Sequence, residues 1–212
     1  MLFLNPAFLI YGLFGFFFGI ILHEVAHGWV AYKLGDPTAR AMGRLTLNPR
    51  VHIDPIGALM FVLVGFGWAK PVPMNPYNFR DYRTGMAISS VAGPLCNLAQ
   101  LMVWALLFRL YLQVYPFMPA LGAIPLKFAA TGALVNGILL VFNLIPIPPL
   151  DGSRILAWML PPREAAFVDR LERYGFIILI VALWLGLFGL IWPAVIWVGG
   201  LFMPAGWLAF VP

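Results

Sequence analysis

Polar positions are scarce along this chain and fall in blocks between long apolar runs. Residues 7–22 carry no charge, and the apolar character reaches Lys33, which predicts a first membrane-crossing helix from Ala7 to Lys33. Residues 34–54 form a polar interval opened by the strong stop Gly35-Asp36-Pro37, and within it Ala41 to Leu47 is predicted to pair as a short strand or hairpin. Residues 55–68 are apolar but too short to cross, so they predict a re-entrant or interfacial piece. The Pro- and Asn-rich residues 69–83 read as an extended, irregular connection. A second crossing helix is predicted from Thr84 to Phe108, a loop over residues 109–127, and a third helix from Phe128 to Leu144. Pro146, Pro148 and Pro149 break the chain before Asp151. The polar residues 154–173 predict an interfacial helix, and Tyr174 to Trp192 a fourth span. Residues 194–212 are uncharged, but Gly199-Gly200 and Pro204 weaken a simple helix, leaving a last span open.

Composition turns this pattern into a class. At 62% hydrophobic and 10% charged residues, the 212-residue chain reads as an integral membrane protein. The predicted fold is all-α and polytopic: three transmembrane helices with a re-entrant or short hairpin element, plus one or two C-terminal spans. No shift in composition marks a separate soluble module, so residues 1–212 read as one domain, with a core over about 7–155 and C-terminal spans over about 174–212. The net charge of +5 is modest, and its carriers lie between apolar segments, which fits membrane orientation rather than nucleic-acid binding. A single cysteine, Cys96, excludes an intrachain disulfide. The N-terminus lacks the basic region of a signal peptide, so the first segment is expected to stay in the mature protein.

The first helix carries the chemistry. His23-Glu24-Val25-Ala26-His27 places two imidazoles four residues apart, on one helical face, where both can bind one metal ion. Glu24 beside them is placed to take a proton from a water at the metal. At 1.5 Å per residue, His27 lies roughly 9 Å and His23 roughly 15 Å below Lys33, so the metal would sit inside the membrane. Ionisable groups at that depth mark function. A catalytic zinc site needs a third protein ligand and an open position. Asp151 is open to that role, or to capping the helix that begins near Ser153. His52 has no spacing that ties it to this cluster and reads as a surface or capping residue. On the second helix Ser89, Gly93 and Asn97, four apart, form a small polar stripe, with Asn97 either interhelical glue or an active-site donor.

Orientation follows from charge. If residues 55–68 dip in and return, every Lys and Arg except Arg109 and Lys127 falls on one membrane face, which the positive-inside bias makes cytoplasmic. The same arrangement brings Asp151 to the face where the HEVAH motif sits, and it puts the N-terminus outside.

HEVAH early, SSVAGPLCN in the middle, NLIPIPPLDG late and GFGWAKPVPMNPYNFR between them resemble the site-2 protease family of intramembrane zinc metalloproteases, over about residues 20–155. The resemblance implies one zinc per chain on His23, His27 and Asp151, with Glu24 as general base for a water activated by the zinc. It implies that Asn97 stabilises the oxyanion or holds the substrate, and that the polar interval after HEVAH forms a membrane-associated sheet. It further implies a transmembrane protein or peptide as substrate within the lipid bilayer of a prokaryotic cytoplasmic membrane, with the site towards the cytoplasm; self-association is left open. A metal transporter and a non-catalytic metal-binding protein are the rival readings. Against the transporter, the polar groups gather near one membrane face instead of lining the whole depth.

Overall fold

A computed structural model of the chain describes residues 6–64, 67–117 and 122–212. It is 78% helical with no named strand among the described residues. Among the described residues three helices have the length and apolarity to cross a membrane: α1 (Pro6–Lys33), α5 (Tyr82–Val114) and α6 (Ile124–Asn143). They pack on one another as the core of the molecule. α6 is the inner helix, with 67% of its apolar window buried against 39% for each of the others. Small residues allow the close approach: Gly15 of α1 faces Gly132 of α6, and Gly132 in turn seats the Trp104 ring of α5. Leu101, Phe108, Ala130 and Leu134 fill the space between α5 and α6.

Between α1 and α5 the chain runs through α2 (Thr38–Ala41), α3 (Pro49–His52) and α4 (Pro55–Val64). The predicted strand over Ala41–Leu47 does not form. Ala41 closes α2, Gly43 turns the chain at φ +65°, and the Asn48 side chain caps α3, so no extended run is left to pair. The short apolar stretch does return on itself. Ile53 bridges Ala69 in antiparallel fashion, and Lys70 N–H donates to the His52 carbonyl at 2.8 Å. The returning segment crosses α4 where neither side has a Cβ: one on Gly57 would strike the Trp68 carbonyl, and one on Gly67 the Gly57 carbonyl. Phe61 of α4 stacks on Phe16 of α1 at 4.4 Å, tying this element to the core.

The predicted loop over 109–127 is shorter than expected. α5 runs on to Val114 and a 3-10 turn follows over Tyr115–Phe117, because the Arg109 guanidinium inside the helix is satisfied by the Phe202 carbonyl. After α6 the three prolines give an irregular turn, and α7 (Asp151–Met159) and α8 (Pro162–Leu171) follow. Gly152 lies against the carbonyls of Leu144 and Ile145, an approach only glycine permits. The far end of α7 is held by Arg83, which donates to the carbonyls of Ala157 (2.7 Å), Trp158 (3.1 Å) and Leu160. The predicted fourth span is broken. α9 (Gly175–Trp184) stops at Gly186, whose φ of +93° turns the chain into α10 (Leu187–Phe202), bent by 81° from the preceding segment.

Candidate metal centre

α1 presents His23 and His27 one turn apart, and the start of α7 brings Asp151 over them. All three are buried, at 4%, 5% and 7% exposure. The two Nε2 atoms lie 2.9 Å apart, and each is 3.2 Å from Asp151 Oδ2. Asp151 opens α7 without capping it; the N-cap is Leu150, and no side chain caps the helix.

Hydrogen bonds on the far sides of the rings decide what this triangle contains. His27 Nδ1 meets the Ser89 carbonyl at 2.7 Å, and a carbonyl only accepts, so Nδ1 carries the proton. His23 Nδ1 meets Asn97 Oδ1 at 2.6 Å. The Asn97 amide cannot be turned around, because its Nδ2 donates to the Gly19 carbonyl (3.3 Å) and to Asn136 Oδ1 (3.0 Å). Asn136 is itself oriented by donating Nδ2 to the Gly132 carbonyl at 2.9 Å. His23 therefore also holds its proton on Nδ1. With both rings neutral, both Nε2 atoms aim lone pairs at a carboxylate oxygen that, among the described residues, has no hydrogen-bond partner. Three buried acceptors at this spacing repel one another unless a cation lies among them.

A metal fits that description. Ligand bonds of 2.0–2.1 Å in tetrahedral geometry place ligand atoms about 3.3 Å apart, and the triangle's edges are 2.9 and 3.2 Å. Two imidazole nitrogens and a carboxylate, each imidazole oriented through its other nitrogen, form the donor set and the outer support of a zinc site. Gly93 of α5 is the floor: a Cβ there would overlap both imidazoles.

Glu24 is not part of the triangle. Its Oε2 accepts the Val72 N–H at 2.7 Å, and its side chain lines the same cavity as His23, His27 and Asp151. That cavity, about 680 Å³, continues away from the polar cluster between Phe16, Ile20, Phe61, Leu139 and Phe142. Asn97 is fully buried behind His23. His52 lies apart. It is fully buried in the polar interval, not at a surface, and bonds the Thr46 carbonyl through Nε2 at 2.8 Å. Sequence reasoning did not single out the Ser89 carbonyl or Asn136 as orienting groups, nor Gly93 as the floor. A backbone carbonyl leaves no mark in a side-chain pattern. The Ser89–Gly93–Asn97 stripe was the available signal for the other helix face, and it is the face that meets the imidazoles.

The family model for "Peptidase family M50" matches residues 118–186. Among curated proteins the chain is 42% identical over 163 residues to YwhC of Bacillus subtilis (strain 168), covering 76% of this chain and 74% of that one. It is 30% identical over 174 residues to Rip2 of Mycolicibacterium smegmatis, covering 80% of this chain and 64% of Rip2. Over 142 residues it is 29% identical to MJ0611 of Methanocaldococcus jannaschii, covering 66% of this chain and 65% of that protein. All three are provisionally named zinc metalloproteases. The chain thus spans just under two thirds of the second and third of these relatives. No solved structure matches the chain.

Proposed function

The chain belongs to peptidase family M50, the site-2 protease family, and we propose that it hydrolyses peptide bonds within or near transmembrane segments of membrane proteins, with Glu24 as general base. Family membership and the relatives' names support a membrane metalloprotease; the substrate class and the base are our reading. One observation carries it: three buried acceptors with no donor between them share a cavity with a carboxylate that stands outside their triangle.

His23, His27 and Asp151 would hold the metal. A zinc ion there supplies a Lewis acid that lowers the pKa of a water to about 7 and polarises a carbonyl. Glu24 takes the proton from the attacking water and passes it to the leaving amine as the C–N bond breaks. The apolar reach of the cavity receives the substrate's side chains. A helical substrate hides its carbonyls in its own hydrogen bonds, so it unwinds locally before attack. Asn97 acts through His23: both ends of its amide are engaged, and it holds the ring so that Nε2 faces the metal. The protein sits in a prokaryotic cytoplasmic membrane with its N-terminus outside and the basic interhelical segments in the cytoplasm.

The test is purified chain with synthetic transmembrane peptides that carry helix-breaking residues, assayed with zinc and with a chelator. Cleavage that stops with chelator and returns with zinc is the expected result. If every peptide stays intact with zinc-loaded chain while zinc crosses sealed vesicles containing it, the protein is a transporter and the proposal is wrong.

A further inference from the structure

Glu24 is held by a segment that has its own anchors. Its Oε2 bonds the N–H of Val72, in the extended strap over residues 69–75 that leads from the re-entrant element to α5. Val72 stands between Pro71 and Pro73, neither of which has an N–H, so it is the one donor in that triplet. Its side chain packs into the space left by Gly28, one residue past His27.

The strap is fixed at three points. Lys70 N–H donates to the His52 carbonyl at 2.8 Å. The Arg44 guanidinium donates to the carbonyls of Lys70 (2.7 Å) and Pro71 (3.3 Å). The far end is gathered by Asp36, which is 0% exposed. Asp36 Oδ2 accepts the Asn75 N–H at 2.7 Å, and Oδ1 accepts the Asn78 side-chain amide at 2.7 Å, together with the Thr38 N–H and hydroxyl. Asp36 lies three residues beyond α1, and its own N–H bonds the Ala31 carbonyl at 2.9 Å, so it is rooted on the helix that carries Glu24. From Asn75 back to Val72 is three residues, at most about 11 Å of chain. A turn stop needs no such group. A buried carboxylate with four donors spans the gap between the end of α1 and the strap.

We propose that Asp36 is a positioning residue for hydrolysis: by clasping the strap to the end of α1, it holds the Val72 N–H where that group orients the Glu24 carboxylate. The inference rests on the reading of Glu24 as general base. A base that swings loses turnover, because a misplacement of about 1 Å lowers the rate on the order of 10²-fold. On this proposal the bond to Val72 serves turnover, not metal or substrate binding.

Four variants are compared with wild type for zinc content, KM and kcat on one transmembrane peptide. Asp36→Ala removes the clasp, Val72→Pro removes the donor and leaves Asp36 in place, and Glu24→Gln reports on the base itself. Asp36→Ala and Val72→Pro should both lower kcat by about 10–100-fold, with KM within about twofold and zinc at wild-type content. Asp36→Asn, which keeps acceptors for some of the four donors, should fall between. Undiminished cleavage by Glu24→Gln removes the general-base reading on which this stands. An inactive Glu24→Gln beside Asp36→Ala at wild-type kcat overturns the role of Asp36 alone. So does a loss confined to Asp36→Ala with Val72→Pro unaffected. Zinc loss, or a raised KM in place of a lowered kcat, in both strap variants also overturns it, since the strap would then support the ligands or the substrate.

Discussion

Replacing Gly93 by alanine tests the metal centre from its floor. The added Cβ would stand 2.5 Å from His23 Cε1 and closer still to the His27 ring, whereas ordinary contacts begin at 3.4 Å. About 1 Å of displacement is therefore demanded of two imidazoles that are pinned behind by Asn97 and the Ser89 carbonyl. Metal–ligand distances tolerate about 0.2 Å. Changes to groups that merely orient ligands lower affinity by roughly 10–100-fold, so a change that moves both ligands should reach at least about 100-fold, or about 2.7 kcal/mol. The metal-free protein should be destabilised as well, because overpacking two buried imidazoles costs roughly 1–3 kcal/mol, more than the roughly 0.5–1 kcal/mol that alanine gains over glycine in a helix interior. The assay is a competitive titration of zinc against a chromophoric chelator in detergent, with thermal unfolding of the metal-free protein alongside. Gly189→Ala in α10, where nothing lies within 4 Å of the added carbon, is the control and should bind zinc as wild type does. Zinc affinity of Gly93→Ala within about threefold of wild type would refute the geometry.

Further outcomes follow from other parts of the structure. Asn97→Ala frees the His23 ring to present the wrong nitrogen and should weaken zinc binding by roughly 10–100-fold, read in the same titration; unchanged affinity would show that Asn97 does not set the ring. Cysteines at Arg44, Arg80 and Arg163 in a Cys96→Ala background should label from the cytoplasm, and one at Gln113 from outside; opposite labelling of Arg44 and Arg80 would mean that residues 55–68 cross the membrane. Burial alone would push the Asp36 carboxyl up, but hydrogen bonds from Asn78, Thr38 and the Asn75 N–H more than offset it and hold it below the ordinary value. A depressed folded pKa contributes stability that is present above the unfolded value of about 3.9 and lost as pH falls through the folded one. The stability advantage of wild type over Asp36→Asn, measured by thermal unfolding, should hold from pH 7 to 5 and shrink below about pH 4. An advantage that persists undiminished at pH 2 would contradict it.

Much of the site could be read from residue spacing because its parts are close in sequence or marked by backbone breaks. His23 and His27 share a face by helical periodicity alone, and the Pro146–Pro149 cluster signals the irregular turn that delivers Asp151. The length of the 55–68 stretch marks it as too short to cross, a re-entrant or interfacial piece, and the bridge between Ile53 and Ala69 brings its two ends together. What spacing could not show was set by single backbone positions and by distant partners. Gly186 ends α9 with a positive φ inside an apolar run that hydropathy reads as one span. α5 extends past Arg109 because that guanidinium finds the Phe202 carbonyl 93 residues away. Asp36 looks like punctuation between Gly35 and Pro37, and only the fold brings Asn75 and Asn78 to it. The Asn136–Asn97–His23 relay joins three helices, and no local pattern links its members.

The central claim is hydrolysis with Glu24 as the base, and Glu24→Gln tests it most directly. Glutamine keeps the size of the side chain and an oxygen that can accept the Val72 N–H, but it cannot take a proton at neutral pH. Zinc content and single-turnover cleavage of one transmembrane peptide are measured side by side on wild type and variant. The account predicts about one zinc per chain in both, and cleavage lower by at least the ~10²–10⁴-fold that a lost general base removes. Undiminished cleavage in a zinc-loaded Glu24→Gln chain would contradict it.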